Sequence, residues 1–253
     1  DIPLMVIAPR DHEDAFYQTI RAHNLAEKYQ IPVIILSDQY LGDSTVSINE
    51  FDFSKVEINR HLIDEKESDD YKNYKRYKFT DDGISPRAYP GLLKGETVLV
   101  DSDEHDENGH IVEDSEKRIK MADKRMKKLD KLISEDLLKP EFYATDDNEI
   151  DYLFISWGST YGVLKETVDM LNKEDINAGV LNYSDIWPLE KEEIRKWAKK
   201  DITLIDVENN ATAQFARLLR SETGANVDNK ILKYDGRPFT AEEIYNRFLS
   251  EVK

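Results

Sequence analysis

The chain of 253 residues carries 52 Asp and Glu against 35 Lys and Arg, a formal net charge of −17, with five His and no Cys. So acidic a surface opposes general binding to nucleic acid or to an anionic membrane. Without a thiolate the chain can form no disulfide, no Cys-ligated zinc site and no conventional iron–sulfur cluster of its own. A hydrophobic fraction of 40% is enough for a folded core, and the longest apolar stretch, residues 33–36, is far below the roughly 20 residues of a membrane span. With no signal peptide in view, the expectation is a soluble, cytoplasmic protein.

Ile2, Leu4, Val6 and Ile7 predict a strand ending at Ala8-Pro9. The absence of any lead-in suggests a chain cut from a longer one. Residues 12–29 follow as a helix, with Ala15, Phe16, Thr19, Ile20, Ala22, His23 and Ala26 on its buried face. The apolar run 33–36 after Pro32 completes a βαβ unit and reads as a strand of a parallel sheet covered on both faces. Between Gly42 and residue 100 the periodicity fades, and a loop of that length is functional or a flexible connector. Residues 101–116 hold eight acids and no Lys or Arg. A helix over 115–139 then carries Ile119, Met121, Ala122, Met126, Leu129, Leu132, Ile133 and Leu137 as its apolar stripe, with its basic residues opposite.

Beyond Pro140 the alternation is regular: strands at 151–157, 178–183, 202–207 and 230–234, and helices at 160–173, 190–200, 211–223 and 240–252. The last helix is opened by the capping box Thr240/Glu243. This predicts a parallel sheet wrapped by helices.

Ligands of open α/β sheets lie beyond the carboxyl ends of the strands. Three strand-to-helix loops therefore stand out. Trp157-Gly158-Ser159-Thr160-Tyr161-Gly162 reads first as a turn and cap and second as an anion site, since it lacks the dinucleotide and phosphate-loop motifs. In Glu208-Asn209-Asn210-Ala211-Thr212, Asn210 is a credible N-cap and Glu208 could pair across an interface. Asp38 caps a following helix or lies near a cleft. The acidic loop 104–110 resembles a metal site, but the calcium-loop register puts Ser115 where a bidentate Glu is required, so a hydrogen-bonded loop is the better reading. His23 reads as a buried, satisfied imidazole. Arg87, between Pro86 and Pro90, has little backbone freedom. It can present a rigid fork to a carboxylate, or form an internal salt bridge.

These strings resemble the α-subunit of 2-oxoacid:ferredoxin oxidoreductases, particularly the 2-oxoglutarate type. Besides the loops above, the match is carried by Ser85-Pro86-Arg87-Ala88-Tyr89-Pro90-Gly91, Glu104-His105-Asp106-Glu107-Asn108-Gly109-His110, Asp185-Ile186-Trp187-Pro188 and Lys233-Tyr234-Asp235-Gly236-Arg237-Pro238-Phe239. The resemblance implies the end of a thiamine pyrimidine-binding domain with its substrate loop and connecting helix over 1–139, and a transketolase C-terminal-like domain over 140–253. It also implies oxidative decarboxylation of a 2-oxoacid to its acyl-CoA with reduction of ferredoxin, thiamine diphosphate serving as the electron sink and CoA as co-substrate. A β-subunit would hold the diphosphate, Mg and a [4Fe–4S] cluster. The Tyr-Pro-Ile-Thr-Pro type motif of the family's earlier segment is not in this sequence, which implies that the carboxylate activating the aminopyrimidine is elsewhere and that this chain alone is inactive. By resemblance Arg87 contacts the substrate carboxylate and Thr97 lines the substrate pocket. The other expectation is a non-catalytic scaffold within such an assembly.

Overall fold

The computed structural model describes residues 2–66, 71–145 and 150–253. The chain forms two compact units that interleave along the sequence. One takes Ile20–Val33 and Ser54–Asp136 with the first residues of the chain, and the other takes Met5–Thr19, Ile34–Phe53 and Leu137–Lys253. The last change of unit falls at 136/137. Two earlier segments nevertheless join the later half, because the first strand, β1 (Met5–Ile7), is hydrogen-bonded to β6 (Asp185–Trp187).

The later unit is built on a five-stranded sheet of order β3-β5-β4-β7-β8. Its strands β4 (Tyr152–Trp157), β5 (Ala178–Tyr183), β7 (Thr203–Glu208) and β8 (Asn229–Leu232) pair in parallel, in agreement with the alternation of the sequence. β3 (Glu141–Ala144), an edge strand the sequence did not announce, runs antiparallel to β5. Residues of β4 point alternately to the two faces. Phe154 packs with Leu164, Val168 and Leu171 of α4 (Thr160–Asn172) and Ile244 and Phe248 of α7 (Ala241–Glu251). Leu153 and Ile155 face Ile194 of α5 (Glu192–Trp197) and Phe215 and Leu219 of α6 (Gln214–Thr223). Each such side chain removed from water contributes about 1.5–3 kcal/mol, which makes both helix layers necessary to the sheet. The Thr240 half of the expected capping box at α7 forms, Thr240 Oγ1 accepting the Glu243 N–H at 3.2 Å, while the Glu243 carboxylate takes Lys233.

β1, β6 and β2 (Val33–Ile35) form a separate three-stranded sheet of order β2-β1-β6, with β6 antiparallel to β1. The expectation that 33–36 is covered on both faces fails: β2 is an edge strand, and Ile34, Ile35 and Leu36 are exposed. Beyond it the short helix α2 (Gln39–Asp43) is capped by Asp38, one of the two roles expected of that residue.

In the earlier unit α3 (Ser115–Glu135) starts on Asp114, whose carboxylate accepts the Lys117 N–H at 2.8 Å. It ends at Asp136, which takes Lys28 Nζ at 2.6 Å and the hydroxyl of Tyr29. The predicted apolar stripe of α3 is corrected. The buried face is Met121, Lys124, Lys128 and Leu132, while Ile119, Met126 and Ile133 are exposed. Lysine stems are apolar over most of their length and can lie in a core when the ammonium finds an outlet. On helix α1 (His12–Tyr29), whose residues 12–19 belong to the later unit and 20–29 to the earlier, the buried positions are Gln18, Ala22, Leu25 and Tyr29. His23 is exposed, against expectation, because this face is rotated by one position from the stripe read in the sequence. Residues 67–70, within the predicted long loop, lie outside the described residues.

Candidate functional site

The three strand-end loops singled out in the sequence converge in the later unit. Asp38 accepts the Leu41 N–H at 2.8 Å, capping α2, and its other oxygen takes the hydroxyl of Ser159 at the start of α4. Gly158 sits at φ 59 with Ala8 and Pro9 beside it, the backbone conformation this strand-to-helix turn needs. The Trp157 Nε1–H donates to Glu208 at 3.3 Å, tying the 157–162 loop to the 208–212 loop. Together with the 233–239 loop after β8 they surround a cleft of about 720 Å³, lined among others by Asp38, Tyr40, Ser159, Asn209, Lys233 and Arg237. It lies beyond the carboxyl ends of β4, β7 and β8, as strand polarity requires of a ligand site. The Lys233 ammonium is held by Glu243. The guanidinium of Arg237, by contrast, has no partner among the described residues.

Two side chains cap α6: the Glu208 carboxylate accepts the N–H groups of Phe215 at 2.9 Å and Ala216 at 3.1 Å, and Asn210, the expected cap, accepts the Gln214 N–H at 3.4 Å. Ala213, immediately before the helix, takes a left-handed conformation, φ 50. Asn210 also accepts the Thr212 N–H at 3.0 Å and donates to Glu208 at 2.6 Å. Two residues earlier on the same strand face, Asp206 is fully buried and no donor reaches either of its oxygens. Burial, and then the neighbouring Glu208, push its carboxyl up to about 9, so it is protonated at neutral pH. Nothing in the local pattern distinguished Asp206 from a strand residue facing solvent.

In the earlier unit the 85–89 segment is fixed from several sides. Gln30 Nε2 donates to the Ser85 carbonyl at 2.7 Å, and the Tyr74 hydroxyl bridges the Pro86 carbonyl and the Ala88 N–H at 3.0 and 3.1 Å. From this frame Arg87 directs one terminal nitrogen to Glu27 and to the Arg60 carbonyl at 2.7 Å. Its Nε is buried with no acceptor. Thr97 lies on an exposed stretch ten residues further along the chain.

The acidic loop is hydrogen-bonded throughout. Glu104 takes Arg125 in a two-pronged pair at 2.9 and 2.8 Å, Asp106 accepts the N–H groups of Asn108 and His110, and Glu107 accepts Lys75 at 2.8 Å and the Phe79 N–H at 3.0 Å. Among the described residues no group of three or more His, Asp or Glu is arranged to hold a metal ion.

Two family models match the chain. Residues 1–124 match the thiamine-diphosphate-binding domain of pyruvate flavodoxin/ferredoxin oxidoreductases, and residues 150–244 match pyruvate:ferredoxin oxidoreductase core domain II. The whole chain is 40% identical to the α-subunit of 2-oxoacid:ferredoxin oxidoreductase 1 from Sulfurisphaera tokodaii. This chain belongs to the 2-oxoacid:ferredoxin oxidoreductase α-subunit family. It spans 39% of the length of that relative, and 64% of the 2-oxoglutarate synthase subunit KorA of Methanothermobacter marburgensis, to which it is 29% identical over 98% of the chain. The solved 2-oxoglutarate:ferredoxin oxidoreductase of Magnetococcus marinus, with 2-oxoglutarate, coenzyme A and succinyl-CoA bound, superposes with a TM-score of 0.88 at 30% identity. That match covers 99% of this chain and 42% of the other. The α/β fold class with two sheet-bearing parts thus stands: a thiamine-binding domain, then core domain II in the place expected for the transketolase C-terminal-like domain. No helix among the described residues is long and apolar enough to cross a membrane.

Proposed function

We propose that this chain serves as the substrate-recognising part of a thiamine-diphosphate-dependent enzyme that oxidatively decarboxylates 2-oxoglutarate to its acyl-CoA with reduction of ferredoxin. The observation that carries the reading is Arg87: a guanidinium on a fixed loop, anchored by Glu27 through one terminal nitrogen, with a buried Nε still lacking an acceptor. A substrate carboxylate is the chemistry that fills such a fork. Thr97, exposed on the following loop, offers the second contact. The choice of 2-oxoglutarate is supported by what the Magnetococcus marinus enzyme holds and by the likeness to KorA.

The Arg87 fork fits the substrate end of such a site. Thiamine diphosphate supplies the electron sink. Its diphosphate, the Mg ion and a [4Fe–4S] cluster are assigned to a β-subunit, which also meets ferredoxin, and the cysteine-free sequence supports that division. On this reading residues 1–139 and 140–253 are the two domains of the chain's share of a cytoplasmic complex.

The test is steady-state kinetics of 2-oxoglutarate- and CoA-dependent ferredoxin reduction by the complete enzyme. Arg87→Ala lowers kcat/KM by about 30-fold or more, the effect of removing one member of a buried charge pair worth ~2 kcal/mol. Arg87→Lys recovers part of it, and Thr97→Ala raises KM by a smaller factor. Unchanged kcat/KM in Arg87→Ala would remove Arg87 from the site. A wild-type enzyme that turns over pyruvate as well as 2-oxoglutarate would remove the substrate assignment.

A further inference from the structure

Lys120, Lys124 and Lys127 lie on one face of α3, since positions three and four apart on a helix are neighbours. They line a cavity of about 330 Å³ whose opposite wall is Phe79, Thr80 and Asp81. That wall is locked against the helix: a Cβ on Gly83, at φ +76, would sit 2.1 Å from the Lys124 carbonyl oxygen, so the 80–84 turn and α3 meet backbone to backbone.

Within this cavity Lys124 is unlike its neighbours. It is only 6% exposed. The next buried lysine, Lys128, donates to the Gln30 carbonyl at 3.0 Å, Arg125 is taken by Glu104, and Lys131 pairs with Asp82 at 2.8 Å. The Lys124 ammonium has neither a hydrogen bond nor an ion pair among the described residues. Burial, and then Arg76 and Arg125 nearby, hold its amine down to about 8. The stem is buried while the ammonium opens on the cavity with its donors unfilled, so an acceptor entering from outside the chain meets a cation already partly stripped of water. The lining holds three Lys against Asp81 and Asp123, an excess of positive charge in a chain of net charge −17.

We infer that this cavity binds a small oxyanion, a phosphate or a carboxylate group, with Lys124 as the inner contact and Lys120 and Lys127 at the mouth. At about 30 Å³ per water the space equals roughly ten waters, which suits a single phosphate or a short dicarboxylate. The site is separate from the Arg87 fork and does not depend on the substrate assigned there.

Competitive acetic-anhydride labelling of the complete enzyme, read by peptide mass spectrometry, tests it with two probes at matched ionic strength, inorganic phosphate and succinate, and chloride as reference. The expected result is that at least one probe slows modification of Lys124 about tenfold once it exceeds its dissociation constant by that factor, while chloride does not. Protection by phosphate alone identifies a phosphate site, and protection by both identifies a general oxyanion site. Equilibrium dialysis with radiolabelled phosphate or succinate, whichever protects, should show uptake lost in Lys124→Met and kept in Lys124→Arg. Should Lys124→Met not fold, the double variant Lys120→Met/Lys127→Met, altered at exposed positions, must weaken uptake. Labelling of Lys124 indifferent to both probes, or uptake unchanged in the methionine variants, overturns the inference.

Discussion

The two units reach order by different means. In the later one, every strand of the five-stranded sheet sends apolar side chains into one of two helix-covered layers, and hydrogen bonding follows from the strand ladder. In the earlier one, α3 is joined by long irregular segments held by charge-assisted pairs such as Glu104 with Arg125 and Glu107 with Lys75, and its buried helix face contains two lysines. The difference teaches that a regular core tolerates polar change at its rim, whereas a unit assembled from specific pairs depends on many local geometries, each of modest worth. Loops of the second kind can hold a side chain such as Arg87 in one orientation without burying it in a core.

The largest expected effect probes the regular side. Phe248→Ala should destabilise the later unit by about 3–5 kcal/mol, read from the urea unfolding midpoint. A loss below 1 kcal/mol would mean that the two apolar layers do not hold this sheet. Next, Gly83→Ala should cost about 2 kcal/mol or more, because it combines a left-handed backbone with a collision against a carbonyl. Amide hydrogen exchange in α3 should accelerate while exchange in β4 stays unchanged, and equal acceleration in both would erase the distinction between the units.

Asp206→Asn tests a place where the later unit buries an ionisable group in its apolar sheet. An aspartate is ordinarily half-titrated near 3.9 in an unfolded chain and here near 9, so between those values the folded state holds the extra proton and stability falls as pH rises. The asparagine variant should therefore melt higher than wild type at pH 8, with the difference shrinking toward pH 4. A difference independent of pH would show that Asp206 is not the titrating group. The smallest effect belongs to the pair-built unit. Arg125→Ala should cost about 1 kcal/mol, and the cost should shrink in salt because the pair is partly exposed.

Legibility followed the same division. Strands β4, β5, β7 and β8 were readable because burial on both faces demands continuous apolar runs, and the loops at their ends were readable from strand polarity alone. β3 and β6 were missed, being short, placed at edges and joined by contacts distant in sequence. On α3 the pattern misled: Ile119, Met126 and Ile133 mark an apolar line seven residues apart, and a periodicity argument cannot know that the lysines lie inward. Around Arg87 the paired prolines signalled a rigid presentation, but Glu27, 60 positions earlier, has no local signature. Asp206 gave no sign at all, since only the three-dimensional neighbourhood makes a buried carboxyl unusual.

One feature of the small sheet bears on how the chain is made. β2 stands at the edge with Ile34, Ile35 and Leu36 open to solvent, and an uncovered strand edge of this kind is a template for any other extended segment. Yield in overexpression should then depend on how soon the edge is covered, and a lysine in place of Ile34 should act as a gatekeeper that improves recovery of soluble chain.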